Sequence, residues 1–341
     1  MIRFCAIGDY AHRQPLAYPQ IRAHCRGVIE VVEDPARADI VAVAHSKDID
    51  SHADRLRALA PDQQRVLLSE EPFWDSCWGH DPLRRDLTHP TATGPLRLTQ
   101  LNHATSRIYD FDAIPYFLLT DSHFATRYGL WFSRNARLSP DQWQRHFARV
   151  PGRGAFMMAR RRSPRYEVSL GDGAVFSLCN PRTDIAEACL RPGFAHIGQG
   201  WQDGPPRQAL TDWHLDKYLS LKARFRFIGA IENTHQPNYV TEKIFDAWAA
   251  GAVPLYIAAP GHRVHRLARP GSWVNLIDCQ PGRVPERLAD FQTGPEFAET
   301  YAAQQRDLAA LLGDRTAWGR ELDRLRAALV AEFETVLRPV G

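Results

Sequence analysis

Lysine is scarce in this chain. Only Lys47, Lys217, Lys222 and Lys243 stand among the 42 basic residues of its 341 positions. Net charge is small as well, +3 with 39 acidic residues, so the concentrated basic excess of a dedicated nucleic-acid binder is missing. No run of about 18 uninterrupted apolar residues occurs, which excludes a membrane-spanning helix. The six cysteines, Cys5, Cys25, Cys77, Cys179, Cys189 and Cys279, form no C-x-x-C pair. Zinc-ribbon and thioredoxin motifs are thereby excluded, and free buried thiols in a reducing compartment are expected. Neither H-E-x-x-H nor G-x-S-x-G is present, which removes the corresponding metalloprotease and hydrolase signatures. The start of the chain reads as a strand entering a turn at Gly8, not as a secretory leader. A cytoplasmic protein is expected, with peripheral contact at the inner membrane left open.

What is present is an alternation of short apolar runs with amphipathic stretches. Runs at 2–7, 28–32, 40–43 and 66–68, with a helical stretch at 53–59, argue for βαβ units and a parallel sheet. Residues 71–93, rich in Pro, Trp and His, carry little periodicity and are expected to form long loops over the sheet edge. Gly, Pro and Arg concentrate at 149–154, which marks a linker. A second alternation follows, with strands expected at 154–159, 224–231, 253–257 and 273–277 and helices at 183–190 and 241–250. From residue 295 to 337 leucines recur at helical spacing. The fold class expected is α/β, two Rossmann-like domains facing a cleft, with C-terminal helices. The boundaries are residues 1–150, 151–294 and 295–341.

The densest stretch is 224–256. An apolar strand ends at Glu232-Asn233, a polar loop with Pro237 and Asn238 follows, and a helix begins at Thr241, a good N-cap residue. Ile244, Phe245 and Trp248 share one face, and Gly251 ends the helix. Ligands of open α/β sheets sit at the carboxyl ends of strands, and a helix N-terminus suits a phosphate. Lys243, in the first turn, runs against the helix-dipole preference, a cost that an adjacent phosphate would offset. A first-turn lysine is also expected to bury little. Glu242 can accept hydrogen bonds from sugar hydroxyls, and Tyr239 offers a flat face and a hydroxyl.

This stretch resembles the donor-binding motif of the glycosyltransferase family ten α-1,3-fucosyltransferases: Glu-Asn-Ser, four residues, Tyr-Val-Thr-Glu-Lys, then a helix and a Val/Ile-Pro strand. Here it reads Glu232-Asn233-Thr234, four residues, Tyr239-Val240-Thr241-Glu242-Lys243, then Val253-Pro254. Trp273-Val274-Asn275 is similar to the family's Phe-Val-Asn strand. The resemblance implies the GT-B arrangement of two Rossmann-like domains, GDP-fucose as donor and inversion at the anomeric carbon. The acceptor implied is an oligosaccharide or lipid-linked glycan of a bacterial surface.

Asn233, Tyr239, Glu242 and Lys243 are the donor-binding candidates. Arg182, before a short helix, corresponds to a family arginine that contacts the diphosphate, for which a planar guanidinium is suited. The general base of the family follows a strand of the first domain, and here Glu70 and Glu71 both qualify. A GT-B transferase for another nucleotide sugar and a non-catalytic nucleotide-sugar binding protein are the alternatives. The sequence departs from the family at Thr234 for Ser, at Ile231 for an aromatic, and at Ala258 for a Gly that would lie near the sugar.

Remaining features get plainer readings. Asp48-Ile49-Asp50 and Asp110-Phe111-Asp112 have the spacing of a metal-holding pair but lie far from the donor motif, so no metal site is expected and no cofactor is required. The basic groups 262–269 and 160–162 read as solvated surface, with an anionic acceptor or membrane as the alternative.

Overall fold

A computed structural model describes residues 1–203 and 209–338. Contacts divide the chain into two units. The first comprises residues 1–122, 168–176 and 316–341; the second, 123–167 and 177–315.

The first unit is built on six strands: β1 (Ile2–Ala6), β2 (Ile29–Val31), β3 (Ile40–Val43), β4 (Gln64–Leu68), β5 (Asp86–His89) and β6 (Leu96–Leu101). Their order is β2-β1-β3-β4-β6-β5, parallel except for β5, which runs antiparallel to β6. Every residue of β3 is buried, as a central strand of a parallel sheet covered on both faces requires. Gly8, just past β1, has φ +101°, and a Cβ there would collide with the Asp48 side chain. Asp48 accepts hydrogen bonds from the Asp9 and Tyr10 amides, while Asp50 pairs with His89. The first Asp-x-Asp pair is therefore spent on internal structure.

Residues 71–93 are more ordered than the loops expected from their composition. They contain the helix Pro72–Trp78 and strand β5. Pro72 opens the helix, where its missing N–H costs nothing. β5 alternates exposed and buried residues as an edge strand does, over too few positions to stand out in the sequence.

In the second unit, β7 (Gly152–Met157) is followed by β10 (Phe194–Ile197) and β11 (Phe225–Gly229), while the intervening short antiparallel pair β8 (Ser169–Leu170) and β9 (Val175–Ser177) falls, apart from Ser177, in the 168–176 segment of the first unit. Next come β12 (Thr234–His235), β13 (Val253–Tyr256) and β14 (Val274–Asn275). The five-stranded sheet has the order β10-β7-β11-β13-β14, all pairs parallel. Two parallel-sheet α/β units with C-terminal helices are what the GT-B reading expects.

The division of the chain differs from the expected boundaries at 150 and 294. The helices Ser122–Asn135 and Pro140–Arg149 lie almost entirely in the second unit, because Phe147 packs edge-on against Phe297 and Tyr301 of the helix Pro295–Gly313. The last helix, Arg315–Leu337, returns to the first unit. Its Phe333 stacks on Phe4 of β1, and Glu321 accepts from the Asp112 and Ile114 amides. A boundary set by composition at a Gly/Pro cluster misses both exchanges, since they are made by side chains far apart in sequence. Among the described residues no helix is long and apolar enough to cross a membrane.

Candidate functional site

β11 ends at Gly229, and the polar loop that follows leads to the helix Glu242–Ala249, capped by Thr241. The helix ends where Gly251 takes φ +79°, a left-handed conformation that glycine adopts without strain. The loop is organised by Glu232, which is 2% exposed. Its carboxylate accepts from the Thr241 amide at 2.9 Å and from the Thr241 hydroxyl at 2.8 and 2.9 Å. Lys243 Nζ donates to Oε2 at 2.7 Å and to Thr241 Oγ1 at 2.9 Å, and Tyr256 OH donates to Oε1 at 3.4 Å. Burial pushes the Glu232 carboxyl above its ordinary range, with Lys243 and Thr241 pulling it back. A carboxylate this deep is tolerated because a cation and several donors meet it.

This changes the reading of Lys243. It is not a solvated first-turn lysine: its side chain is 22% exposed and is ion-paired inside the loop. Glu242, next to it, lies 3.8 Å from the same ammonium. Burial would raise its carboxyl, but Lys243 and Lys217 hold it below the ordinary value. Tyr239 also departs from expectation. At 1% exposure its ring is packed inside the unit and offers no face to a ligand. The hydrophobic ring outweighs the polar loop around it. Asn233 is partly exposed, and its carbonyl accepts from the Leu178 amide at 2.8 Å, which ties the loop to the start of the helix Cys179–Ala188.

That helix carries Arg182, 3% exposed, whose buried Nε has no hydrogen-bond partner. Burial lowers its pKa, Arg161 lowers it further, and Glu232 and Tyr239 act in the opposite sense. Arg182 thus sits within electrostatic reach of both Glu232 and Arg161. A buried guanidinium nitrogen without an acceptor is costly, and an anion is the kind of partner that would satisfy it. Sequence reading missed Glu232 and Arg161 as site residues. The first was quoted only as part of a motif, the second only as one of three adjacent arginines. In that run Arg160 pairs with Glu187, and Arg162 with Asp184 and Glu187. In the other basic group Arg269 pairs with Asp307.

The helix Glu242–Ala249 is held from below by Asp246, which faces Lys217 Nζ at 2.8 Å, His214 Nε2 at 2.7 Å and the Tyr128 hydroxyl at 2.6 Å. Burial alone would raise Asp246, but Lys217 and His214 bring it down to about 2. Asn275 closes the other side: its Oδ1 accepts from the Ala258 amide at 3.1 Å and its Nδ2 donates to the Ala258 carbonyl at 2.7 Å. Ala258 is fully buried in this clamp, with no positive φ, so its methyl group fits without strain.

In the first unit the two base candidates separate. Glu70 is fully buried. It accepts from Arg13 Nε at 2.7 Å, Tyr18 OH at 2.6 Å and Tyr116 OH at 2.7 Å. Glu71 pairs with the same Arg13 guanidinium, but its side chain is 14% exposed. It stands at the N-cap position of the helix Pro72–Trp78. Among the described residues no group of three His, Cys, Asp or Glu is placed to hold a metal ion.

Comparison with known proteins places these elements. Residues 204–303 match the family model described as glycosyltransferase family 10 (fucosyltransferase), C-terminal. A putative fucosyltransferase-like protein of Arabidopsis thaliana is 45% identical over 49 residues, covering 14% of this chain and 9% of that protein. The alpha-(1,3)-fucosyltransferase 7 of Mus musculus is 31% identical over 97 residues, 28% of this chain and 25% of that protein. The chain thus spans a quarter or less of the curated relatives it matches. A crystal structure of an alpha1,3-fucosyltransferase with GDP-fucose overlaps all of this chain and 91% of its own at 14% identity, with a TM-score of 0.45. Residues 204–303, which hold the Glu232–Lys243 loop and its helix, are thus similar to the C-terminal part of the family 10 fucosyltransferases.

Proposed function

We propose that the chain is an inverting fucosyltransferase of the α-1,3 class that takes GDP-fucose as donor. The acceptor would be a hydroxyl of an oligosaccharide or lipid-linked glycan of a bacterial surface. The observation that carries this reading is the buried Arg182 guanidinium, its Nε without a partner, beside the Glu232–Thr241–Lys243 clamp in a family 10 segment. The diphosphate of the donor would supply the missing anion. Arg182 and Arg161 would take its oxygens, with Lys243 held in place by Glu232 and the amides at the start of the Glu242–Ala249 helix completing the set.

Departure of GDP builds negative charge on the diphosphate. Prearranged donors aimed at that charge are each worth roughly 3 kcal/mol in the transition state. Several of them stabilise the leaving group with the chain's own cations, and we propose that neither a metal nor another cofactor is required. Asn233 and Glu242 would address sugar or ribose hydroxyls. Glu71, the more accessible of the paired carboxylates, would take the proton of the attacking hydroxyl, and Glu70 would hold Arg13 in position.

The test is incubation with a panel of nucleotide sugars, following GDP or UDP release with and without glycan acceptors. Release from GDP-fucose, raised by acceptor and lost in Arg182→Ala, is expected. Turnover of another nucleotide sugar in its place would change the donor, and GDP binding with no turnover of any donor would make this a binding protein.

A further inference from the structure

Three exposed leucines lie close together on the second unit, outside everything assigned above. Leu130 is 66% exposed on the helix Ser122–Asn135, and Leu215 and Leu219 are 37% and 63% exposed on the helix Trp213–Leu221. Residues 127, 130, 131 and 134 form one stripe of the first helix by their spacing. Arg127 pairs with Asp212, Trp131 stacks on Tyr218 with centroids 3.8 Å apart, and the Arg134 guanidinium lies 5.8 Å from the same ring. Leu130 therefore borders the seam between the two helices. Leu215 and Leu219 flank Tyr218 one helical step away, on the solvent side of that seam.

The surroundings are cationic. Arg134, Arg137, Lys222 and Arg224 are exposed, and Lys222 Nζ stands 5.8 Å from the Tyr218 ring, opposite in sequence to Arg134 on the facing helix. Asp216 is the acidic residue exposed on the second helix. Asp212, the other acid at this seam, is paired with Arg127, so the fringe stays basic. Large exposed apolar side chains fringed by arginine and lysine are the composition of a surface that lies in a lipid headgroup layer. The second helix also carries His214 and Lys217, bonded to Asp246 below the helix Glu242–Ala249, so the patch is rigidly mounted.

We propose that this face, Leu130, Leu215 and Leu219 with Arg134, Arg137, Lys222 and Arg224 around them, docks the protein on an anionic membrane surface. The occupant is lipid, because the apolar atoms come as separate protruding side chains within a basic fringe and not as a groove. The inference is independent of the donor chemistry and needs no turnover to be tested.

The experiment is flotation of the full chain with vesicles of phosphatidylcholine alone and with about one third phosphatidylglycerol. Binding to the anionic vesicles is expected, with little to the neutral ones, and it should fall as salt rises. Leu219→Glu and Leu130→Glu should each weaken it at least tenfold, and Lys222→Glu about fivefold or more, with melting temperatures unchanged. Three outcomes overturn the proposal: no binding to the anionic vesicles, binding that the three variants leave intact, or a concentration-dependent dimer that Leu219→Glu dissolves. The last would assign the face to a second copy of the chain.

Discussion

Removing the Lys243 ammonium strips Glu232 of the cation that meets it at 2.7 Å. In Lys243→Ala the carboxylate keeps the Thr241 amide and hydroxyl and the long contact to Tyr256, but it stays 2% exposed and carries its charge uncompensated. Two routes are open to it. It can remain ionised, a loss of the kind that costs roughly 3–5 kcal/mol when a buried pair is broken. Or it can take up a proton. For a carboxyl of ordinary pKa 4.5, protonation at pH 7 costs about 3.4 kcal/mol at 1.36 kcal/mol per unit. The cheaper route sets a ceiling, so Lys243→Ala should lose about 3 kcal/mol at pH 7.

At pH 5 the same protonation costs about 0.7 kcal/mol, so most of the loss should vanish. The sign follows from proton uptake. The variant's folded state binds a proton that its unfolded state releases above pH 4.5, so its deficit grows as pH rises through that value. Glu232→Gln in the same background removes the titrating group and should restore at least half of the loss at pH 7, independent of pH. Urea unfolding of the four proteins of this cycle at pH 5, 6, 7 and 8 measures it, with amide exchange in the Glu242–Ala249 helix as the local readout. A loss under 1 kcal/mol at pH 7, or one equal at pH 5 and pH 7, would refute the reasoning.

The other perturbations separate binding from folding. Arg182→Ala should weaken GDP binding ten- to a hundredfold by calorimetry, the worth of charged hydrogen bonds, while leaving stability unchanged or higher, because a buried cation whose Nε lacks a partner is removed. A parallel loss of both would mean that Arg182 is structural. Glu71→Gln should lower acceptor-dependent transfer at least a hundredfold at an unchanged melting temperature, whereas Glu70→Gln should lower the melting temperature, since Arg13, Tyr18 and Tyr116 all converge on Glu70. Asp75, 8% exposed, is pushed up to about 7 by burial, opposed by Ser69. The fold therefore holds this proton up to about pH 7 while the unfolded chain releases it near 3.8, and stability falls as pH rises through that window. Asp75→Asn should remove the fall, on the order of 4 kcal/mol between pH 4 and 8 in unfolding midpoints.

The sheet strands were legible where they are buried on both faces. β3 and β13 are continuous apolar runs, and their limits in the structure lie within a residue of those expected. β5 and the helix Pro72–Trp78 were not legible, because a half-exposed edge strand and a two-turn helix give too few positions for a period to emerge. The domain exchange was hidden for a different reason. Phe147 meeting Phe297, and Phe4 meeting Phe333, are decided by pairs separated by 150 residues or more, and local composition carries no trace of such a choice.

The same distinction governs the site. The capped helix could be read from Thr241 and Gly251, since capping is a matter of adjacent residues. The role of Lys243 could not, because it depends on Glu232, eleven positions earlier, being folded back beneath the cap. A sequence shows a lysine at a helix start and a phosphate suggests itself; the structure shows the lysine already answering a carboxylate. The two are compatible only if Glu232 serves to fix the ammonium, leaving the net positive charge to Arg182 and Arg161. The residues that would bind the anion most strongly are then Arg182 on the neighbouring helix and Arg161 in the loop after β7, not the lysine that first drew attention. Loss of Lys243 should therefore damage the loop, and loss of Arg182 the affinity.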